Sequence, residues 1–219
     1  MALTTHDLPK FGAVIPVIVI DSVDDALSLA QALLEGGIRV LEMTLRTPVA
    51  FEAISKIARE FPEAIVGAGT IRSLDDLQRA KDCGAQFCVS PGYTSALGQA
   101  SHQIQMPLLP GVSTASELMQ ASADGFHFLK LFPAEVVGGV NLLKAWASPF
   151  PDIVFCPTGG ITYEKANSYL SLSNVACLGG SWLASPQLMQ EQNWSKIRKL
   201  AAQASALTSS CNLSNEGAN

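Results

Sequence analysis

Apolar residues recur along the chain in short runs, each followed by a longer stretch with helical spacing. The runs fall at 14–20, 40–44, 65–70, 87–90, 108–110, 126–132, 153–157 and 175–179. Their first residues are 26, 25, 22, 21, 18, 27 and 22 positions apart. Short runs rich in branched and aromatic residues read as strands. A strand and a helix repeated eight times predict an α/β fold, a single (β/α)8 TIM barrel. A short N-terminal segment precedes it, and 194–205 reads as a C-terminal helix. The barrel domain is expected over 1–205, with the Ser- and Asn-rich residues 206–219 a disordered tail.

The polar positions punctuate the helices. Asp21 and Ser22 precede the first, with acids in its opening turn, and Gly36-Gly37 closes it. Thr47-Pro48 is the expected start of the second, since proline suits a first turn. Ser73 opens the third and Gly84 ends it, while Thr114 and Glu117 have capping-box spacing.

Alternate residues of a strand share a face. In the second strand Leu41, Met43 and Leu45 form one large apolar set that should pack on the helices, which leaves Glu42 pointing into the barrel. In the sixth, Phe126, Phe128 and Lys130 share a face, but both faces are largely apolar and parity does not orient it. If Lys130 is inward, it sits near the C-terminal end of its strand, where such barrels carry chemistry. Thr70 ends the third strand at the mouth, and Arg46 follows the second. A buried Lys and Glu are costly as plain core residues, although a structural ion pair remains an alternative.

Two glycine clusters, Thr158-Gly159-Gly160 and Gly179-Gly180-Ser181, follow the seventh and eighth strands. Glycine lets backbone N–H groups approach an anion closely. Loops at these two strand ends, with a short helix N-terminus, are the usual phosphate site of this fold. Plain turns are the other reading.

Composition narrows the partners. The 219 residues are 48% hydrophobic and 15% charged, which excludes a disordered chain. The net charge of −5 without a basic block argues against nucleic acid. The longest apolar run, 13–20, is far short of the roughly 20 residues of a membrane span. The start lacks a secretory signal, so a soluble, cytoplasmic protein is expected. Five cysteines without a C-x-x-C pair read as reduced thiols, and three scattered histidines give no metal motif. Neither a metal nor a cofactor is expected.

With these segments in place the chain closely resembles the 2-keto-3-deoxy-6-phosphogluconate (KDPG) aldolases, which often also cleave 4-hydroxy-2-oxoglutarate (KHG). The matching blocks are 37–47, 65–70, 89–92, 109–114, 129–135, 155–161 and 179–182, within a resemblance running from about residue 10 to 205. The resemblance implies a metal-free class I aldolase in a homotrimer of (β/α)8 barrels, acting on a phosphorylated keto-acid. It implies Lys130 as the Schiff-base former and Glu42 as the general acid/base. Arg46 and Thr70 then bind the pyruvate carboxylate end, and Pro91 and Phe132 line the pyruvoyl pocket. Thr158 is tied to substrate stereochemistry, while the clusters holding Gly159, Gly160, Gly179, Gly180 and Ser181 form the phosphate loops. Arg46 also separates the chain from the related galactonate-pathway aldolases, whose motif usually lacks it. On the residues alone, a phosphosugar isomerase or epimerase and a non-catalytic phosphosugar-binding barrel stay open.

Overall fold

A computed structural model describes residues 3–211 of the chain. Nine short strands are all parallel to their neighbours: β1 Val14–Ile18, β2 Val40–Thr44, β3 Ile65–Gly69, β4 Phe87–Val89, β5 Leu108–Leu109, β6 Gly111–Val112, β7 Phe128–Leu131, β8 Val154–Pro157 and β9 Leu178–Gly180. They form a six-stranded sheet in the order β5-β4-β3-β2-β1-β9 and a three-stranded sheet in the order β6-β7-β8. The fold is therefore α/β with parallel strands, curled into two arcs.

Pro110 divides the expected fifth strand, because it has no N–H to give a ladder. Its carbonyl still accepts from Lys130 N at 2.8 Å, so the segment touches both sheets. On the other side, single parallel bridges join Phe155 to Val175 and Thr158 to Gly179. The last expected strand is accordingly shorter and later than its apolar run.

Helices α1 Val23–Glu35, α2 Ala50–Glu60, α3 Leu74–Asp82, α4 Ser95–Gln103, α5 Ala115–Ala123, α6 Gly139–Trp146 and α7 Tyr163–Leu170 alternate with the strands. The short α8 Pro186–Gln190 and the terminal α9 Trp194–Ser205 follow β9. Ser22 and Ser73 cap α1 and α3 by accepting from Asp25 N and Asp76 N, and the Thr114–Glu117 capping box opens α5. The second helix begins at Ala50, three residues after Thr47. The Thr47 hydroxyl donates instead to the Ile20 carbonyl past the end of β1, which commits it to the strand side.

Two apolar clusters follow from strand parity. Leu41, Met43, Leu129 and Leu131 pack with the helices. Val40, Phe87, Leu109, Phe128 and Cys156 pack with one another inside the sheets. Parity did not orient the sixth expected strand because it included Phe126. The strand begins at Phe128, and Phe126 belongs with the helix-side cluster. An N-terminal 3-10 helix, Thr5–Phe11, plugs the lower end with the fully buried Leu8. Of the tail expected over 206–219, residues 206–211 lie back on the fold, where Ser210 N donates to Leu170 O at 2.9 Å. Residues 212–219 lie outside the described residues.

Candidate active site

Glu42 and Lys130 are buried, 3% and 4% exposed, on the interior faces of β2 and β7. Lys130 Nζ stands 3.4 Å from Glu42 Oε1 and 5.1 Å from the centre of the Phe132 ring. The sequences of β2 and β3 make room for the carboxylate. A Cβ on Gly69, two residues beyond the register partner of Glu42, would fall 2.3 Å from Glu42 Oε1, so glycine there leaves room for the carboxylate. Gly69→Ala is expected to displace Glu42 and to destabilise the fold by about 1–3 kcal/mol, the cost of overpacking a filled core. A lower urea midpoint together with reduced turnover checks this; unchanged values would mean that β3 yields freely.

Arg46 is exposed at the mouth and donates from Nε to Thr70 Oγ1 at 3.3 Å. Strand parity alone would send Thr70 to the helix side with Val66 and Ala68. Its φ of +64° turns the chain as β3 ends and brings the hydroxyl to Arg46. A β-branched residue in the left-handed region is strained, and such strain persists where the surroundings hold it.

A cavity of about 750 Å³ opens at the strands' C-terminal ends. Arg46, Lys130, Phe132, Thr158, Gly159, Gly160, Gly179 and Ser181 line it. Glu42 reaches this group through Lys130, and Thr70 through Arg46. Pro91 and Gly180 are not on its wall. The Pro91 backbone packs under Gly111, where a Cβ would sit 2.6 Å from its carbonyl. A Cβ on Gly180 would run into the Trp182 ring, so its outward face is turned from the cavity. Gly179 is bare for another reason: a Cβ there would meet Thr158 Oγ1 at 2.1 Å.

The glycine loops carry free donors. Among the described residues, the backbone N–H groups of Gly160 and Ser181 donate to no protein acceptor. Gly159 and Gly160 have φ of +105° and +78°, which glycine adopts without strain. Consecutive N–H groups in such a turn make a concavity for an anion. The Arg46 guanidinium supplies positive potential within a chain of net charge −5.

The motifs did not reveal the rest of the wall. Val17 comes from β1, Val19 and Asp21 from the loop after it, Asp25 from the start of α1, and Pro186 and Met189 from α8. Gln192 Nε2 donates to Asp25 Oδ1 at 2.8 Å, tying the turn after α8 across the mouth. Below Lys130 lie Cys156, its register partner in β8, and Cys177. The hydrogen bond to Cys156, then burial, push the Cys177 thiol well above its ordinary value. It stays protonated and is no nucleophile at neutral pH. Among the described residues no group of three or more His, Cys, Asp or Glu is placed to hold a metal ion, and no helix is long and apolar enough to cross a membrane.

Comparison with known proteins fits this arrangement. The family described as KDPG and KHG aldolase matches residues 6–200. The chain is 48% identical to the KHG/KDPG aldolase of Escherichia coli, covering 88% of this chain and 91% of that one. The crystal structure of a KDPG aldolase from Legionella pneumophila, with pyruvate captured as a covalent carbinolamine intermediate, matches with a TM-score of 0.90. It is 44% identical over 92% of this chain and 98% of that chain. A KDPG aldolase of Zymomonas mobilis, solved with 3-phosphoglycerate, matches with a TM-score of 0.88 and 42% identity over 94% and 97% of the two chains.

Proposed function

We propose, on the premise that this chain belongs to the KDPG and KHG aldolase family, that it is a class I aldolase cleaving KDPG to pyruvate and glyceraldehyde 3-phosphate. KHG, giving pyruvate and glyoxylate, is its second substrate. The observation that carries this is the buried Lys130–Glu42 pair, 3.4 Å apart beside a cavity with cationic and free N–H donors.

The chemistry follows from the geometry. Lys130 Nζ, as the free amine, adds to the C2 ketone, and loss of water leaves an iminium. Glu42, directly or through one water, takes the proton of the C4 hydroxyl. The C3–C4 bond breaks, its electron pair moves toward the iminium nitrogen, and glyceraldehyde 3-phosphate leaves. Glu42 returns its proton to C3 of the enamine, and hydrolysis frees pyruvate and Lys130. One carboxyl serves as base and then acid, which suits a reversible reaction. Arg46 and Thr70 hold the substrate carboxylate, and Phe132 and Pro91 bound the pyruvoyl group. Thr158 sets the facial choice at C4. The N–H groups of Gly160 and Ser181 take the phosphate, with Gly159, Gly179 and Gly180 shaping that turn.

The two sheets are read as arcs of one closed eight-stranded barrel, because the 108–112 segment spans one gap and the bridges to β8 span the other. A single domain, a homotrimer and a cytoplasmic setting go with this reading through the family. The chemistry asks for no metal, since the iminium is already the electron sink. Turnover of KDPG should therefore release pyruvate and survive exhaustive chelation. An isomerised sugar acid without pyruvate would favour the isomerase reading, and loss restored by zinc would overturn the metal-free one.

A further inference from the structure

Glu135 is an acid placed just behind a loop that must attract an anion. Its backbone N donates to Gly159 O at 3.1 Å, and Ala134 N donates to Thr158 O at 2.8 Å. The turn after β7 is thereby zipped to the loop after β8. The Glu135 stem lies directly behind Gly160, where a Cβ would meet its Cβ and Cγ at 2.9 Å each. The carboxylate faces away from the cavity, and α7 clamps it. Lys165 Nζ donates to Oε2 and the Tyr169 hydroxyl to Oε1. Lys165 and Tyr169 are four apart on α7, so both reach the same carboxylate from one helix face. The first residue of α6, Gly139, is bare where a Cβ would fall 2.5 Å from the Tyr169 hydroxyl.

These contacts explain why an acid is tolerated there. Lys165, then Tyr169, hold the Glu135 carboxyl below the usual carboxylate range. Burial, then Glu135, push the Tyr169 hydroxyl up. The clamp keeps one charge state across neutral pH, and the ammonium of Lys165 offsets the carboxylate near the anion site. Gly159 and Gly160 are the most permissive backbone type, so their conformation needs outside support. Glu135 supplies it from behind and does not line the cavity.

We propose that Glu135, clamped by Lys165 and Tyr169, is a positioning residue that fixes the Gly159–Gly160 turn and so sets the preference for the phosphorylated substrate. This rests on the aldolase reading above. The test measures kcat and KM for KDPG and KHG in the unaltered enzyme and in Tyr169→Phe, Lys165→Met, Glu135→Gln and Glu135→Ala. Losing one hydrogen bond to a charged group is expected to raise KM for KDPG about tenfold in Tyr169→Phe, while kcat/KM for KHG stays within about twofold. Inhibition of KDPG cleavage by inorganic phosphate should weaken in parallel. Glu135→Gln keeps the stem and should lose less selectivity than Glu135→Ala. Equal losses on both substrates would show a general structural role and overturn the proposal. So would unchanged kinetics in both Tyr169→Phe and Lys165→Met, two changes that leave the Glu135 stem in place. Absence of KDPG cleavage by the unaltered enzyme would instead overturn the aldolase reading, and the inference with it.

Discussion

Lys130→Met is expected to lower kcat/KM for KDPG by about 10⁴-fold or more, because methionine fills similar space but cannot form a carbon–nitrogen double bond. Loss on KHG should match it, since both substrates react through the same ketone. Stability should fall as well. Glu42 is 3% exposed and would be left buried without its partner. Breaking a buried pair by removing one partner costs about 3–5 kcal/mol. Adding Glu42→Gln to Lys130→Met removes the orphaned charge and should recover part of that stability while activity stays absent. Urea unfolding of the single and double variants, beside turnover, separates the two effects. Retained cleavage in a folded Lys130→Met variant would exclude Lys130 as the nucleophile.

Glu42→Gln is expected to slow cleavage by roughly 10²–10⁴-fold, the usual contribution of a positioned acid/base. The amide keeps the length and shape of the side chain, which matters because Gly69 and Lys130 confine it. Exchange of the pyruvate methyl protons with deuterated water should fall in parallel, because in the proposed mechanism one carboxyl, that of Glu42, moves the proton at this carbon in both directions. Pyruvate should still be captured on the enzyme. Proton NMR of pyruvate in heavy water reads the exchange; an unchanged rate would assign the proton to another group.

Much of this site could be read from the pattern of side chains. The second strand was legible because Leu41 and Met43 so clearly belong with the helices that Glu42 had to face inward. The sixth was not, because Phe126 lengthened its apolar run past the point where β7 begins. Thr70 stands beside Arg46 for a reason that parity does not contain. Parity would have turned it from Arg46, and only a left-handed φ, which its β-branched side chain disfavours, brings them together. The start of α2 was misplaced because capping residues look alike in sequence, whether their hydroxyls serve a helix or, as with Thr47, a strand end. The cavity wall from Val19, Asp25 and Met189 has no motif at all, since three separate segments meet only once the strands curl. Gly69 did carry a signal. A glycine inside a strand marks close approach, here by Glu42.

The most direct measurement of the central claim is mass spectrometry of the protein after borohydride reduction in the presence of pyruvate. The account predicts one covalently added pyruvate per chain, mapped by peptide digestion to Lys130 and absent from Lys130→Met. Lys130 is the one lysine buried among the described residues. An adduct mapped instead to Lys56 or Lys144, or continued cleavage of KDPG by enzyme that never forms an adduct, would contradict it.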